Sequence, residues 1–506
     1  MSQPTPEFAL LQASLNYGLR PNAPPKVSLD AASGAQCNWH RLLWLARCHG
    51  LLPSLGTMAS RPDNGWSPPA DTLQQLQAIG HFTQLRHLAR AREACVLHDL
   101  LTRASIPFMF ASGWALARRC YPVPSLRSLG MNTTLLVRAS DAARARTALA
   151  SLGYSLEVSP LALADRHRSR VIVHSLPATD RDFEGLIGRA ETIPVGGRDL
   201  KTLPTIDWLF RLCANRNGLR WLELRRVADL LSLLNHHATW DWPLVLARAD
   251  TAGLRSSLIF SLVASHRVVG QELPPQVAKE IAREPALDRH AAKLCRQLEA
   301  GQSMSPDSAA ALRLNLRLQP NWGDRLRYVW RHIRNRFRSP LPVGKNESDD
   351  PACIGRFAPT PQRTVDAMLD LAETKAGDVV YDLGCGDGRI VISAAKQFGA
   401  RGVGIDLDPQ RIREATASAA AQQVAATTSF LCADAMRIPL RDATVVCLYL
   451  QGFAYPDLRR KLARELSRGT RIVSHTFIFP GWPPEKTKIV SVNPQTISQI
   501  YLWRIP

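Results

Sequence analysis

The chain has 506 residues, 45% apolar and 21% charged, which excludes a disordered, collagen-like or coiled-coil protein. That length holds about two to four domains of ordinary size. Lys and Arg number 63 against 43 Asp and Glu, and the net charge of +20 points to an anionic partner without saying which. No apolar run is long enough to span a bilayer, and the opening Met1–Glu7 lacks the basic end and apolar stretch of a secretory leader. The ten cysteines are scattered, with no Cys-x-x-Cys pair. Reduced, mostly buried thiols, no zinc and a cytoplasmic location are therefore expected.

Residues 81–105 and 205–265 repeat apolar side chains every three or four positions and should be helical. Between them, 106–185 is mixed, with short strand candidates at Ile106–Phe110, Thr134–Val137 and Arg170–His174. Further on, 311–345 carries nine Lys or Arg against Asp324 alone. Within it, 325–338 alternates basic and apolar residues at helical spacing. Such a helix would dock an acidic partner or a membrane surface, or is simply a solvated face. Pro340, Pro342, Gly344 and the acidic Glu347, Asp349 and Asp350 then mark a break. The expected organisation is one domain over 1–345, a linker at 346–351 and a second domain over 352–506. Most of the positive charge, +15, lies upstream of 351, and +5 downstream.

Past that break the period changes. Apolar runs at 378–383, 402–407, 428–432, 444–450 and 470–475 alternate with helical stretches at 389–398, 409–422 and 457–467. Strand–helix alternation predicts βαβ units and a doubly wound, mostly parallel sheet. The first of these strands leads into Asp382-Leu383-Gly384-Cys385-Gly386-Asp387-Gly388-Arg389. Glycines at alternating positions let the backbone turn sharply and bring a ligand against bare main chain at a helix start. The second strand ends in Asp406-Leu407, at the spacing of a carboxylate that accepts both hydroxyls of a ribose. The third ends in Cys432-Ala433-Asp434-Ala435, placing a further acid on the same edge.

An acid two residues before Gly-x-Gly-x-Gly resembles motif I of class I S-adenosylmethionine-dependent methyltransferases. The resemblance implies a Rossmann-like sheet and S-adenosylmethionine as cofactor. It also implies that Asp382, Gly384, Gly386 and Gly388 hold its amino-acid end, Asp406 and Leu407 the ribose, and Asp434 with Ala435 the adenine. Ala358-Pro359-Thr360-Pro361, Asp387-Gly388-Arg389-Ile390-Val391, Thr444–Leu450 and Gly469–His475 narrow the likeness to the small protein-lysine methyltransferases of mitochondria and their bacterial relatives. It covers about 352–506. Tyr449, after the fourth strand, would line the methyl path or accept from an amine, or be a half-buried strand tyrosine. His475, ending the fifth, would be a general base or a structural histidine. Cys385 reads as a small packing residue. The Asn-Pro-Pro-Tyr signature of amide and adenine methylation is missing.

Upstream, Trp39–Leu43, Phe110–Ala117, Tyr121-Pro122 leading to Arg127, Leu135–Val137, Leu152–Tyr154 and Arg220–Leu230 resemble bacterial nucleotidyltransferase-like proteins of the polymerase-β type. That implies an α+β domain with a large helical part. Active members carry Asp-x-Asp before the Leu-Leu-Val strand and a third acid later, which hold two metal ions. Here those positions read Asn132-Thr133-Thr134 and Ile172, and Ser112 replaces a lysine before Gly113. Hard cations need anionic oxygens, so this domain is expected to be catalytically inactive and to recognise a substrate or partner. The expected function is methyl transfer to a protein or peptide acceptor, such as a lysine amine. A non-catalytic cofactor sensor or scaffold, and a small-molecule methyltransferase, stay open as alternatives. A nucleic-acid partner is not expected, since no base-reading module is present. Oligomeric state is left open.

Overall fold

The computed structural model describes residues 4–19, 37–59, 68–130, 132–152, 170–175, 180–214, 223–237, 239–270, 272–283, 285–300, 316, 318, 359–450, 455–479, 482–493 and 496–506. The chain divides into two compact units that part between 329 and 330, with 38–45 grouped with the second. The basic stretch 325–338 and the linker 346–351 lie outside the described residues.

Upstream, α1 (Pro6–Leu19), α2 (Trp39–His49), α3 (Leu52–Ala59) and the long α4 (Ala70–Arg103) precede a five-stranded mixed sheet. Its elements run β1 (Phe108–Phe110), α5 (Gly113–Cys120), β2 (Asn132–Val137), α6 (Ala142–Ala150), β3 (Arg170–Ser175), α7 (Asp180–Ile187), β4 (Glu191–Val195) and β5 (Arg198–Thr202). The spatial order is β3-β2-β1-β5-β4. Pairs β2–β3 and β1–β5 are parallel, β1–β2 and β4–β5 antiparallel. Six helices described after the sheet are α8 (Thr205–Cys213), α9 (Leu224–His236), α10 (Trp242–Thr251), α11 (Arg255–Val269), α12 (Pro275–Arg283) and α13 (Pro285–Glu299).

Two features differ from the sequence expectation. Helix α4 begins at Ala70, not 81, because its first buried face mixes Thr72 and Gln75 with Leu76 and Ile79 and so masks the apolar period. The sheet also runs past 185, into the β4–β5 hairpin. There Ile193, Val195 and Leu200 are buried, and the two-residue turn is Gly196-Gly197 with φ of +55° and +74°. Both positions of such a turn need positive φ, hence the glycine pair.

The helical part is tied to the sheet by a buried ion pair. Arg127 Nε and Nη2 donate to Asp229 on α9 at 2.6 and 2.8 Å, and Tyr121 Oη donates to the same carboxylate at 2.7 Å. Burial raises the Asp229 carboxyl, but Arg127 outweighs it and the net direction is down.

The second unit contains α14 (Gln362–Leu371), β6 (Val379–Leu383), α15 (Arg389–Phe398), β7 (Arg401–Asp406), α16 (Pro409–Ala421), β8 (Thr428–Cys432), β9 (Val445–Leu448), α17 (Tyr455–Glu465), β10 (Arg471–His475), β11 (Lys486–Asn493) and β12 (Thr496–Arg504). Its seven-stranded sheet has the order β11-β12-β10-β9-β6-β7-β8. Strands β6 to β10 pair in parallel, and β12 and β11 close the sheet antiparallel. The strand period of two sorts the core. Tyr381, Leu383, Val446 and Leu448 face one layer, with Leu458 and Leu462 of α17, while Val380, Val445 and Cys447 face the other, with Val365 and Met368 of α14.

At the end of the sheet opposite the glycine loop, Arg471 and Asp378 form a buried ion pair. Arg471 Nη1 also donates to the carbonyls of Ala372 and Glu373, both at 3.0 Å, satisfying the C-terminus of α14. Asp378 accepts from Thr444 Oγ1 at 2.7 Å and from the Lys375 amide at 2.9 Å. Burial raises this carboxyl, but its hydrogen bonds, above all from Arg471, leave it below the usual range. Arg471→Ala would leave a buried charge without its partner and should destabilise the unit by about 3–5 kcal/mol, read as a lower urea midpoint. In the parent this contribution is present at neutral pH and fades as pH falls through the lowered Asp378 value. A loss under about 1 kcal/mol, the worth of an exposed pair, would contradict the assignment.

Candidate active site

The carboxyl ends of β6, β7, β9 and β10 share one edge of the sheet. There the chain leaves β6 through Gly384-Cys385-Gly386-Asp387-Gly388 and enters α15. The three glycines have φ of +85°, +53° and +77°, a region that other L-residues enter only at a cost of about 1–2 kcal/mol. Space is also tight at two of them. A Cβ on Gly384 would lie 2.7 Å from Leu450 Cδ2, and one on Gly388 2.7 Å from Phe430 Cε1. The amides of Gly384 and Cys385 donate to the Ile405 carbonyl at 2.8 and 2.9 Å, fastening the loop to the end of β7.

Three acids surround this loop. Asp382 is 3% exposed, and among the described residues no group donates a hydrogen bond to it. Burial, with Asp406 and Asp387 adding repulsion, pushes its carboxyl up to about 8. Asp406 is half-buried and accepts from the Gly386 amide at 2.8 Å and the Asp408 amide at 3.0 Å. Asp387 is paired with Arg389; burial raises its carboxyl, yet this arginine holds it below the usual range. Arg389 Nη1 in turn donates to the Thr360 carbonyl at 2.8 Å, which ties the glycine loop to the segment before α14.

Asp434 lies just after β8, half-buried, accepting from the Met436 amide at 2.8 Å and 3.4 Å from Arg437 Nε. The Ala433 amide donates to the Asp406 carbonyl at 2.9 Å, so the β8 end is held to the β7 end. Leu407 is half-buried, and Ala435 packs against the core layer containing Leu383 and Ile405.

Tyr449 and His475, separated by 26 positions, come together. Their ring centroids are 4.2 Å apart and Phe477 lies 6.2 Å from Tyr449, forming an aromatic wall past β9 and β10. His475 is 4% exposed, and its Nε2 shares a 3.0 Å hydrogen bond with Ser498 Oγ on β12. Burial pushes the imidazole down to about 4 and the Tyr449 phenol up. Both rings are uncharged near neutral pH. Gln451, beside Tyr449 in the sequence, lies outside the described residues.

These groups suit a cationic nucleoside. A buried carboxylate flanked by acids gains from an ammonium or sulfonium charge, a half-buried strand-end carboxylate meets a ribose diol, and a bare glycine backbone admits both. Sequence reasoning missed the Arg389–Thr360 tie, the Phe430 ring filling the space beside Gly388 and Gly404, and Ser498 behind His475. Only the first had a visible signal, since Arg389 and Thr360 both lie in recognised motifs.

In the upstream unit, Thr134 of β2 is in register with Ile172 of β3, and Asn132 and Thr133 precede it. Ser112 is 3% exposed, with no hydrogen-bond partner for its hydroxyl among the described residues. A Cβ on Gly113 would fall 2.2 Å from Arg127 Nη1, so this glycine makes room for the buried guanidinium. Among the described residues, no three His, Cys, Asp or Glu gather as a metal site.

The model of the ANTKMT methyltransferase domain family matches residues 382–486, and that of an uncharacterised nucleotidyltransferase family matches 35–270. A protein-lysine N-methyltransferase of Saccharolobus islandicus is 38% identical over 29% of this chain and 92% of its own length. A lysine N-methyltransferase of Rattus norvegicus, named for ATP synthase, is 32% identical over 26% of this chain and 60% of itself. For the adenine nucleotide translocase lysine N-methyltransferase of Mus musculus the figures are 37%, 24% and 53%. The chain thus spans only about half to three-fifths of these animal relatives. An RNA methyltransferase of Salinibacter ruber, solved with S-adenosyl-L-homocysteine, is 43% identical over 29% of this chain and 94% of its own, with a TM-score of 0.28. With nine-tenths of the archaeal enzyme covered, the chain belongs to that enzyme's family of S-adenosylmethionine-dependent methyltransferases, joined here to a nucleotidyltransferase-like part.

Proposed function

We propose that this enzyme methylates a lysine side chain of a protein acceptor and that its upstream unit recognises that acceptor without nucleotidyl-transfer chemistry. The observation that carries the reading is the uncharged aromatic wall of Tyr449, His475 and Phe477 beside an acid-rich glycine loop. The protein-lysine specificity of the archaeal relative supports the acceptor class.

S-adenosylmethionine, when bound, supplies an electrophilic methyl group on its sulfonium. In our reading Asp382 meets the positive amino-acid end, with Gly384, Gly386 and Gly388 giving their backbone to it. Asp406 and Leu407 take the ribose, and Asp434 and Ala435 flank the adenine. Displacement at carbon asks for alignment and exclusion of water more than for acid–base work. A lysine amine must arrive neutral, and an aromatic wall favours that by desolvation while tolerating the methylated cation. Tyr449 lines the path. His475 was a candidate general base, but a buried imidazole near 4 is a weak one. We assign it instead to positioning, holding Tyr449 from below with Ser498 behind it. The neutral Asn132, Thr133, Thr134 and Ile172 support the second half of the proposal, since they offer no carboxylate for two divalent ions.

Three outcomes are expected. Asp406→Ala should weaken S-adenosylmethionine binding roughly ten- to 150-fold in calorimetry, matching the ~1.5–3 kcal/mol of a charged hydrogen bond; unchanged affinity would remove the ribose assignment. Binding of a cation should lower the raised Asp382 value and release a proton. Affinity should therefore climb, by at most about tenfold per pH unit, as pH rises towards 8, and level off above it. Asp382→Asn should flatten that profile, and a flat profile in the parent would contradict the role. Finally, tritiated-methyl labelling of a cell extract should place label in protein and, after hydrolysis, in methyl-lysine. Label confined to nucleic acid or small molecules would overturn the lysine reading.

A further inference from the structure

The upstream unit holds a cavity of about 750 Å³ whose lining does not include Ser112 or Asn132–Thr134. One wall is a single stripe of α4, running from Gln84 to Asp99 at steps of three and four residues. The other wall is Trp114 and Arg118 of α5, the turn at Val123–Ser125 and the tip of the β4–β5 hairpin.

Its apolar rim is exposed. Leu88 is 66% exposed, and Val96 and Val123 are each 45% exposed, three of the five large apolar side chains that stand out to solvent among the described residues. Trp114, at 4%, lines the groove from the α5 side. An apolar patch that a folded protein leaves open marks a contact surface. The stripe is long: Gln84 to Asp99 spans roughly 22 Å of helix at 1.5 Å per residue. That length suits an extended or helical segment better than a compact metabolite. A phosphate backbone would not call for the apolar rim.

Charge chooses among polypeptides. At one end Arg198 is occupied, donating to Asp99 at 2.7 and 2.6 Å. Arg92 and Arg118, both exposed and on opposite walls, have no acidic partner among the described residues. His87, 7% exposed, lines the groove near Arg118, and its Nδ1 has no hydrogen-bond partner among the described residues. The chain's own basic stretch at 325–338 carries the wrong sign for this groove.

We propose that the groove between α4 and α5 seats an acidic amphipathic segment, with apolar side chains on Leu88, Val96 and Trp114 and carboxylates on Arg92 and Arg118. That this segment belongs to the methyl acceptor rests on the function proposed above. The mode is that of a helix laid in a groove, where apolar anchors give affinity and flanking charge gives specificity.

The test uses the full chain and fluorescein-labelled 16-residue helical peptides with leucines on one face. One series carries glutamates flanking that face and its twin carries lysines. By anisotropy the acidic series should bind at least tenfold tighter than the basic one. Leu88→Glu with Val96→Glu should lose at least tenfold, and Arg92→Glu with Arg118→Glu should invert the preference. Since all four side chains are exposed, each variant should keep the parental circular-dichroism spectrum and thermal midpoints, which report that the upstream unit is folded. Equal binding of the two series, or parental affinity in the rim variant, would overturn the proposal. Peptide capture with no methyl-lysine formed on any protein would sink the lysine reading and leave the groove standing. Methyl-lysine formation without capture of the acidic series would do the reverse.

Discussion

At the glycine loop of the second unit sits a carboxylate that no described residue compensates. Asp382, next to last in the interior strand β6, is almost fully buried and has Asp406 and Asp387 as its charged company. Burying an anion this way is unfavourable unless something positive arrives. The arginine nearest in sequence, Arg389, is spent on Asp387 and on the Thr360 carbonyl. The glycine loop is fastened to the end of β7 through the Ile405 carbonyl, and the amide of Gly386 orients Asp406 at 2.8 Å. With its carboxyl pushed up to about 8, Asp382 holds a proton near neutral pH, and in the proposed reading a cationic ligand displaces it.

Asp229 and Asp378, one in each unit, are buried acids that an arginine compensates, whereas none of the described residues compensates Asp382. In the upstream unit, Arg127 and Asp229 satisfy each other completely with Tyr121, and Gly113 gives up its side chain to let the guanidinium in. Charge there is structural. What that unit offers outward is different: an open apolar groove flanked by two arginines. An enzyme with a small catalytic unit gains selectivity when a separate surface holds the acceptor, because binding energy away from the reacting atoms is used for positioning.

Much of the second unit was legible in its residues. Strands β6 to β10 are short, apolar and bounded by acids or glycines, so their places came within a residue or two of the structure. The antiparallel pair β11–β12 was not foreseen. Its buried positions include Thr487, Ser498 and Gln499, and polar residues facing inward hide the strand period. Ser498 matters there because it joins Thr364 to His475. Long-range pairs were equally hidden. Arg471 and Asp378 are 93 positions apart, and Arg127 and Asp229 are 102 apart. Tyr449 and His475 were each singled out, but only the β9–β10 register stacks them, and that burial is what removes His475 as a strong base.

The most direct measurement is a crystal structure of the full chain grown with S-adenosyl-L-homocysteine. The amino group of the ligand should lie against Asp382 and the ribose hydroxyls on Asp406, both within hydrogen-bond distance, with the homocysteine portion pressed on the glycine loop. A loop closed over by the protein's own side chains, or a ligand bound elsewhere with Asp382 still buried alone, would contradict the cation-seeking role given to that carboxylate.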